Sequence, residues 1–449
     1  MGNFIFDVGA TTISGLRNDQ PLYKFIREAN IENEVYENIH KLSTGMVVHI
    51  DGKKIFRYAD EEKWMEECAN KFGNETQIKK FWNLIFRIEK KSYKLIDSLK
   101  NFPPVKLLDY LSLPKNPLNI DLLYYLTRSV KDVLKNFDLH KNQLFSDFIN
   151  EQLIITSQAY VDEVPFLPGA LALNYPAESY YVNGGMSSFA QIIEKKFTNS
   201  GGEIKFKHSV LKIKNNKKIF SVETNKGAYK GRNVISNIPV WGNEVFFDEG
   251  SNGKNYFNRL SKQNNTKWGA VTLYFAVEDN FDDIFNDFGS LFHQVHFKSK
   301  VTGSKSFFVS ISKRGDLNKA PDGWRTVTIS THTVNPEEWK NKTKEEYEQD
   351  KQTVINEIFE KLNEIFPGFE KLTKKYILSA SPKTFEFYTK RKNGCVGGIP
   401  ATFSKNFFRQ IPSVTPVDNF FLTGDTVFPG QGAPAVIFGA MKLIEKLTE

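Results

Sequence analysis

Apolar residues recur at three-, four- and seven-residue spacing from about Glu61 to Phe148. Phe81, Leu84, Ile85 and Ile88, then Leu95, Ile96 and Leu99, share one face. That is the period of amphipathic helices. Asn101-Phe102-Pro103-Pro104 breaks the first run, Pro114 and Pro117 the second, and Leu122 to Phe137 reads as a third helix. Upstream, Leu22 to Ala29 is helical, and Asp51-Gly52 between two apolar runs predicts a hairpin. From Tyr175 to Pro239 the pattern alternates. A strand at Tyr180-Tyr181-Val182 leads to a helix over about Ser187 to Ser200, closed by Gly201-Gly202. Short strands follow at Glu203–Phe206, Val210–Ile213, Ile219–Thr224 and Asn233–Asn237. Strand periodicity returns at Val271–Phe275, Ser306–Ile311 and Thr326–Ser330. A polar helix over about Lys344 to Ile365 follows, and a last strand, Asn419–Asp425, enters a glycine turn and a helix over Pro434–Leu447. β/α pieces separated by a helical and then a strand-rich insert describe two interleaved domains.

Composition narrows the class. The chain has 449 residues, 40% hydrophobic and 25% charged, which suits a folded protein of two domains and excludes disorder. No run approaches the ~18 apolar residues of a membrane span. Met1 leads straight into a polar-interrupted strand, so no secretory leader is expected. Cys68 and Cys395 stand far apart, outside any CxxC pair, and suit a reducing compartment or a cytoplasm-facing surface. The net charge of +8 is spread along the chain. A solvated surface explains it best; the charge is weak evidence for nucleic acid, an anionic membrane explains it equally well, and nucleic acid is not expected as a partner.

The candidate chemistry concentrates near the C-terminus, in Phe421-Leu422-Thr423-Gly424-Asp425-Thr426-Val427-Phe428-Pro429-Gly430-Gln431-Gly432-Ala433-Pro434. A strand delivers Gly424-Asp425, and a Gly-x-Gly turn opens a helix with proline in its first turn. Glycines allow close backbone approach, the helix start offers free N–H groups, and Asp425 can accept hydroxyl hydrogen bonds. A plain strand–turn–helix explains the same residues equally well. His293 and His296 have HxxH spacing but sit in strand-like sequence, where residues three apart face opposite ways, so no metal site is expected. Asp282-Asp283, Glu337-Glu338 and Glu345–Glu348 read as solvated faces. Lys and aromatic residues interleave between Trp82 and Phe137. They fit amphipathic helices over a core, or an interfacial surface that dips into lipid.

Taken together, these motifs resemble the phytoene desaturase family, which includes carotenoid desaturases and isomerases. Thr423-Gly424-Asp425 with Pro429-Gly430-x-Gly432 looks like its C-terminal flavin motif. Phe6-Asp7-Val8-Gly9-Ala10-Thr11 resembles the segment just after its nucleotide-binding unit. Gly184-Gly185-Met186, Gly201-Gly202-Glu203-Ile204 and Val210-x-x-Ile213 resemble its central FAD-domain segment. Trp268-Gly269-Ala270, His293-Gln294-Val295 and Ser381–Glu386 are similar to the 3,4-desaturase and isomerase branch. The resemblance runs from Phe4 to the end and is weakest over about 60–150.

The resemblance implies FAD as cofactor, with Gly424 and Asp425 at the ribityl or pyrophosphate. It places Gly430, Gln431, Gly432 and Ala433 at the isoalloxazine end, and the Val210 backbone at the adenine. It implies a lipophilic polyene substrate, desaturated or isomerised, and a peripheral protein on the cytoplasmic side of a membrane. It names no catalytic acid or base, and the oligomeric state stays open. The family's initial GxGxxG unit has no counterpart after Met1. The fold expected is therefore α/β, a Rossmann-like FAD domain without its first βαβ unit, interleaved with an α+β substrate domain. FAD-domain segments are expected at 1–60, 175–245 and 396–449, a helical insert at 61–174 and the substrate domain at 246–395. The alternatives are a carrier of an apolar ligand without FAD, a truncated chain, or a related polyene saturase or amine oxidase.

Overall fold

The computed structural model describes residues 2–98, 120–216, 219–264, 268–280, 291–404 and 410–448. The proline breaks expected at 101–117 and the Asp282-Asp283 pair lie outside these residues. The chain opens with β1 (Thr12–Ile13), α1 (Pro21–Glu28), α2 (Glu32–Glu37), β2 (Ile39–Lys41), β3 (Thr44–Ile50) and β4 (Lys53–Tyr58). β3 and β4 form the expected hairpin. Asp51 and Gly52 both take positive φ, 48° and 69°, as a tight two-residue turn requires.

The helical block is α3 (Glu61–Phe72), α4 (Glu75–Ser98), α5 (Ile120–Leu126), α6 (Val130–Asn136), α7 (Gln143–Ser157) and α8 (Phe166–Asn174). Leu122 to Phe137 is thus two helices rather than one. Ser129 is the reason: its hydroxyl accepts from the Asp132 N–H and the Asp132 carboxylate accepts from the Ser129 N–H, both at 3.1 Å. That reciprocal cap starts a new helix at Val130. Most described aromatics of this block point inward, with Tyr124 exposed. Trp64, Phe81, Trp82, Phe86, Phe145 and Phe148 share one core with β3 and β4. The buried ones form the core that the first of the two readings of the interleaved Lys and aromatic residues expects.

β5 (Tyr180–Val182), α9 (Met186–Asn199), β6 (Val210–Asn216), β7 (Ile219–Thr224), β8 (Gly227–Gly231) and β9 (Val234–Ser236) carry the alternating region. Gly201, at φ 89°, closes α9 as expected. Glu203–Phe206, expected as a strand, is irregular, because no described strand pairs with it. After α10 (Asn252–Gln263) come β10 (Gly269–Glu278), β11 (Phe292–His296), β12 (Ser306–Ile311) and β13 (Trp324–Thr333). α11 (Lys344–Ile365) has the expected bounds and starts on a Thr343–Glu346 capping box. β14 (Lys374–Ala380), α12 (Pro382–Thr389), β15 (Phe420–Leu422) and α13 (Ala433–Thr448) complete the chain.

The architecture is mixed α/β. A seven-stranded sheet runs β14-β10-β13-β12-β11-β3-β4, antiparallel except for the β11–β3 pair. β3 and β4 therefore extend the sheet of the 246–395 region, although they fall within the expected 1–60 segment. Their apolar alternation marks a strand pair but carries no address for a partner so distant in the chain. α11 covers one face of the sheet through Val354, Ile358 and Leu362. A parallel pair, β9–β15, packs on the β6-β7-β8 meander and α10 through Phe220, Phe257, Phe420 and Leu422.

Candidate functional site

β15 is short and wholly apolar. Phe420 and Leu422 are fully buried, so the strand end is held firmly beside β9, where the Thr423 N–H donates to the Ser236 carbonyl at 2.9 Å. Gly424 follows at φ 108°, packed on the Asn237 side chain. The chain then passes a cis Phe428–Pro429 bond to Gly430 and Gly432, at φ 116° and 95°. Such φ values favour glycine. A Cβ at either position would meet no atom of the described residues within 4 Å, so among them this backbone faces open space.

Gln431 between them is a clamp. Its Nε2 donates to the Thr156 carbonyl at 2.7 Å, and its Oε1 accepts from the Gly398 N–H at 3.0 Å. The turn is thereby tied to the end of α7 and to the strap at 396–398. Arg391 ties the same parts from another side, donating to Asp425 Oδ2 at 2.8 Å and to the Gly397 carbonyl at 2.5 Å. Gln158, left-handed at φ 55° just beyond α7, donates from Nε2 to the Val396 carbonyl at 2.9 Å. Its Oε1 is buried without a hydrogen-bond partner among the described residues. Since Val396 offers only an acceptor there, the amide orientation is fixed and the orphan is the oxygen.

The opposite wall comes from the start of the chain. Asp7 is buried, paired with Lys319 at 2.5 Å, and its other oxygen accepts from the Met186 N–H at 2.8 Å. A Cβ on Gly185 would collide with the Asp7 carboxylate. Two motifs far apart in sequence, Phe6–Thr11 and Gly184–Met186, meet here for that reason. Thr11 is set against Ser310, with the two hydroxyls 2.8 Å apart.

These walls enclose a cavity of about 830 Å³. Asp425, Gly430, Gln431, Gly432, Arg391 and Thr11 line it at the turn. Met46, Ile96, Ile155, Leu171, Ala172 and Phe308 carry it into the helical block and sheet. Its ionisable lining groups are kept neutral where burial is deepest. Burial pushes His332 down to about 4 and the Tyr93 phenol well above its ordinary value. Behind Tyr93, Glu89 is raised by burial even though Arg17 sits 3.0 Å away.

Asp425, Gly430, Gln431 and Gly432 are thus brought together on the cavity. Gly424 and Ala433 flank it without lining it, and Val210, part-exposed on β6, also lies outside the lining. Arg391 and Gln158 escaped the sequence reading. Arg391 hides in a Lys390-Arg391-Lys392 run that reads as solvated charge, and Gln158 carries no motif. His293, read as half of an HxxH pair, meets His49 across β3–β11 with ring nitrogens 3.2 Å apart. The turn fits a flavin ring system: two open glycines, a carboxylate for hydroxyls and a guanidinium occupy one wall.

No protein-family model matches the chain. It is 24% identical over 98% of its length to the chloroplastic prolycopene isomerase of Daucus carota, covering 71% of that protein. It is 23% identical to the 1-hydroxycarotenoid 3,4-desaturase of a Flavobacterium strain, over 71% of this chain and 67% of that one. The all-trans-retinol 13,14-reductase of Danio rerio is 23% identical over 99% and 79%. Among solved structures, an oxidoreductase from Methanosarcina mazei superposes at TM-score 0.59 and 16% identity, over 99% of this chain and 89% of that one. A putrescine oxidase bound to putrescine gives 0.57 at 12% identity, over 99% and 88%. The fold is that of these oxidoreductases.

Proposed function

From this kinship with carotenoid isomerases and desaturases, we propose that the chain is an FAD-dependent oxidoreductase that isomerises or desaturates a polyene. The observation that carries the reading is one cavity that joins the Gly430–Gly432 turn to an apolar gallery in the helical block. A polyene needs a long dry passage, and a redox cofactor needs a polar cradle at one end of it.

Asp425 would hold ribityl hydroxyls, and the open backbone of Gly430 and Gly432 would lie against the ring system. Bound FAD would supply the transfer of a hydride equivalent. Arg391 fixes the Asp425 carboxylate and puts positive charge on the cradle wall. Gln431 keeps the turn from drifting away from α7. Ile155, Leu171 and Phe308 exclude water along the gallery. His332, neutral at physiological pH, adds no charge to an apolar ligand's path. Arrival of the substrate from a membrane, at the cytoplasmic face, belongs to the same proposal.

The test is a visible absorption spectrum of the purified chain with added FAD, followed by chromatography of prolycopene after incubation with the loaded protein. Retained flavin bands and a changed polyene are expected. A chain that never retains flavin overturns the reading.

A further inference from the structure

The helical block buries most of its described aromatics, leaving Tyr124 and Tyr160 exposed, and a different face displays more of them. On α12, Phe387 is 66% exposed and Tyr388 is 77% exposed, set edge to face at 5.0 Å. The adjoining edge strand β14 exposes Tyr376, Ile377 and Leu378. Large apolar side chains this exposed in one stretch of chain mark an interaction surface. The patch is basic as well. Lys383 and Lys390 stand on and just beyond α12, with Lys392 next, and the Lys390 ammonium lies 4.8 Å from the Phe387 ring. Lys375 of β14 lies 4.0 Å over Trp324. The acid within α12, Glu386, is engaged by Lys340 at 3.2 Å. Aromatic tips ringed by long cationic side chains match the headgroup layer of a bilayer, where rings sit at the interface and lysine stems reach up to phosphate.

The patch also leads along the chain to the cavity. Arg391 lines the cavity three residues beyond Tyr388, and Val396 and Gly397 follow. From the other side, exposed Val8 runs straight into Gly9 and Ala10, which line it too. The Val8 carbonyl accepts from the Tyr274 hydroxyl at 3.5 Å, and Tyr274 pairs across β10–β14 with Leu378. We infer that the β14–α12 face docks on an anionic lipid bilayer and turns the cavity mouth toward it. The purpose of such docking rests on the polyene reading above; its measurement does not.

The experiment is co-sedimentation of the whole chain with vesicles of phosphatidylcholine, with and without about one-third phosphatidylglycerol. Wild type is expected to sediment with the anionic vesicles and only weakly with the neutral ones. F387S/Y388S should lose at least about tenfold in partitioning, and K390E/K392E should lose its preference for anionic lipid. F206S/L211S, on a second exposed apolar group away from the cavity, should partition like wild type. Unchanged circular dichroism checks that the variants fold. Wild type that ignores anionic vesicles overturns the inference, and so does F387S/Y388S that binds as wild type does. A chain that sediments but takes no FAD sinks the polyene reading and leaves the docking face standing; a chain that takes FAD and ignores vesicles does the reverse.

Discussion

Arg57 shows how far a single residue can depart from its usual place. Its side chain is buried, with the guanidinium 4.2 Å from the Trp64 ring and 5.5 Å from Trp82. It donates to the Tyr58 carbonyl at 2.8 Å and the Asn174 amide oxygen at 3.2 Å. Arg57→Ala removes both rings' partner and leaves a void, so it should cost about 3 kcal/mol in a urea titration. A loss under about 1 kcal/mol would mean that the core closes over the gap. At the turn, Gly432→Val forces a branched residue to φ 95°, a strain of about 1–3 kcal/mol. It should weaken FAD retention at least about tenfold with little change in circular dichroism. Arg391→Met should also release flavin more readily, since it frees Asp425 and removes the cradle's cation. The glycine turn was legible because a strand, two glycines and a first-turn proline are adjacent in sequence. Arg391 and Gln158 were not, because what distinguishes them is contact with residues brought near only by folding.

Elements with a local cause were read well. α11 carries its own start signal in Thr343 and Glu346, and α4 its own period. The β3–β4 hairpin was legible from Asp51-Gly52, yet its parallel neighbour β11 was not. Hairpin pairing is written in the turn, whereas β11's claim on β3 depends on the whole sheet. Gly52→Ala places a Cβ at φ 69° and should destabilise by about 1 kcal/mol, read as a lowered melting midpoint. The split of α5 from α6 was missed because apolar period continues through Ser129 while hydrogen bonding does not.

For the whole molecule, two half-buried histidines couple stability to pH. Burial pushes His296 and His332 down from 6.5 to about 4, with His49 adding to the effect on His296. Between those values the unfolded chain binds protons that the folded chain refuses. Stability is therefore fully present above about 6.5 and lost as pH falls toward 4. The melting midpoint should drop by about 5 °C or more from pH 7 to 4.5, and His296→Gln should flatten that slope. An unchanged slope in the variant would assign the acid sensitivity to carboxylates instead.

The β3–β11 seam also sets a timetable. His49 and His293 touch across it although 244 residues separate them. A ribosome adding about 5–20 residues per second emits the second strand some tens of seconds after the first. Throughout that interval the β3 edge that β11 will cover stays bare. Newborn chains should therefore be hungry for chaperones until β11 emerges, and slow translation between the two strands would lengthen their exposure.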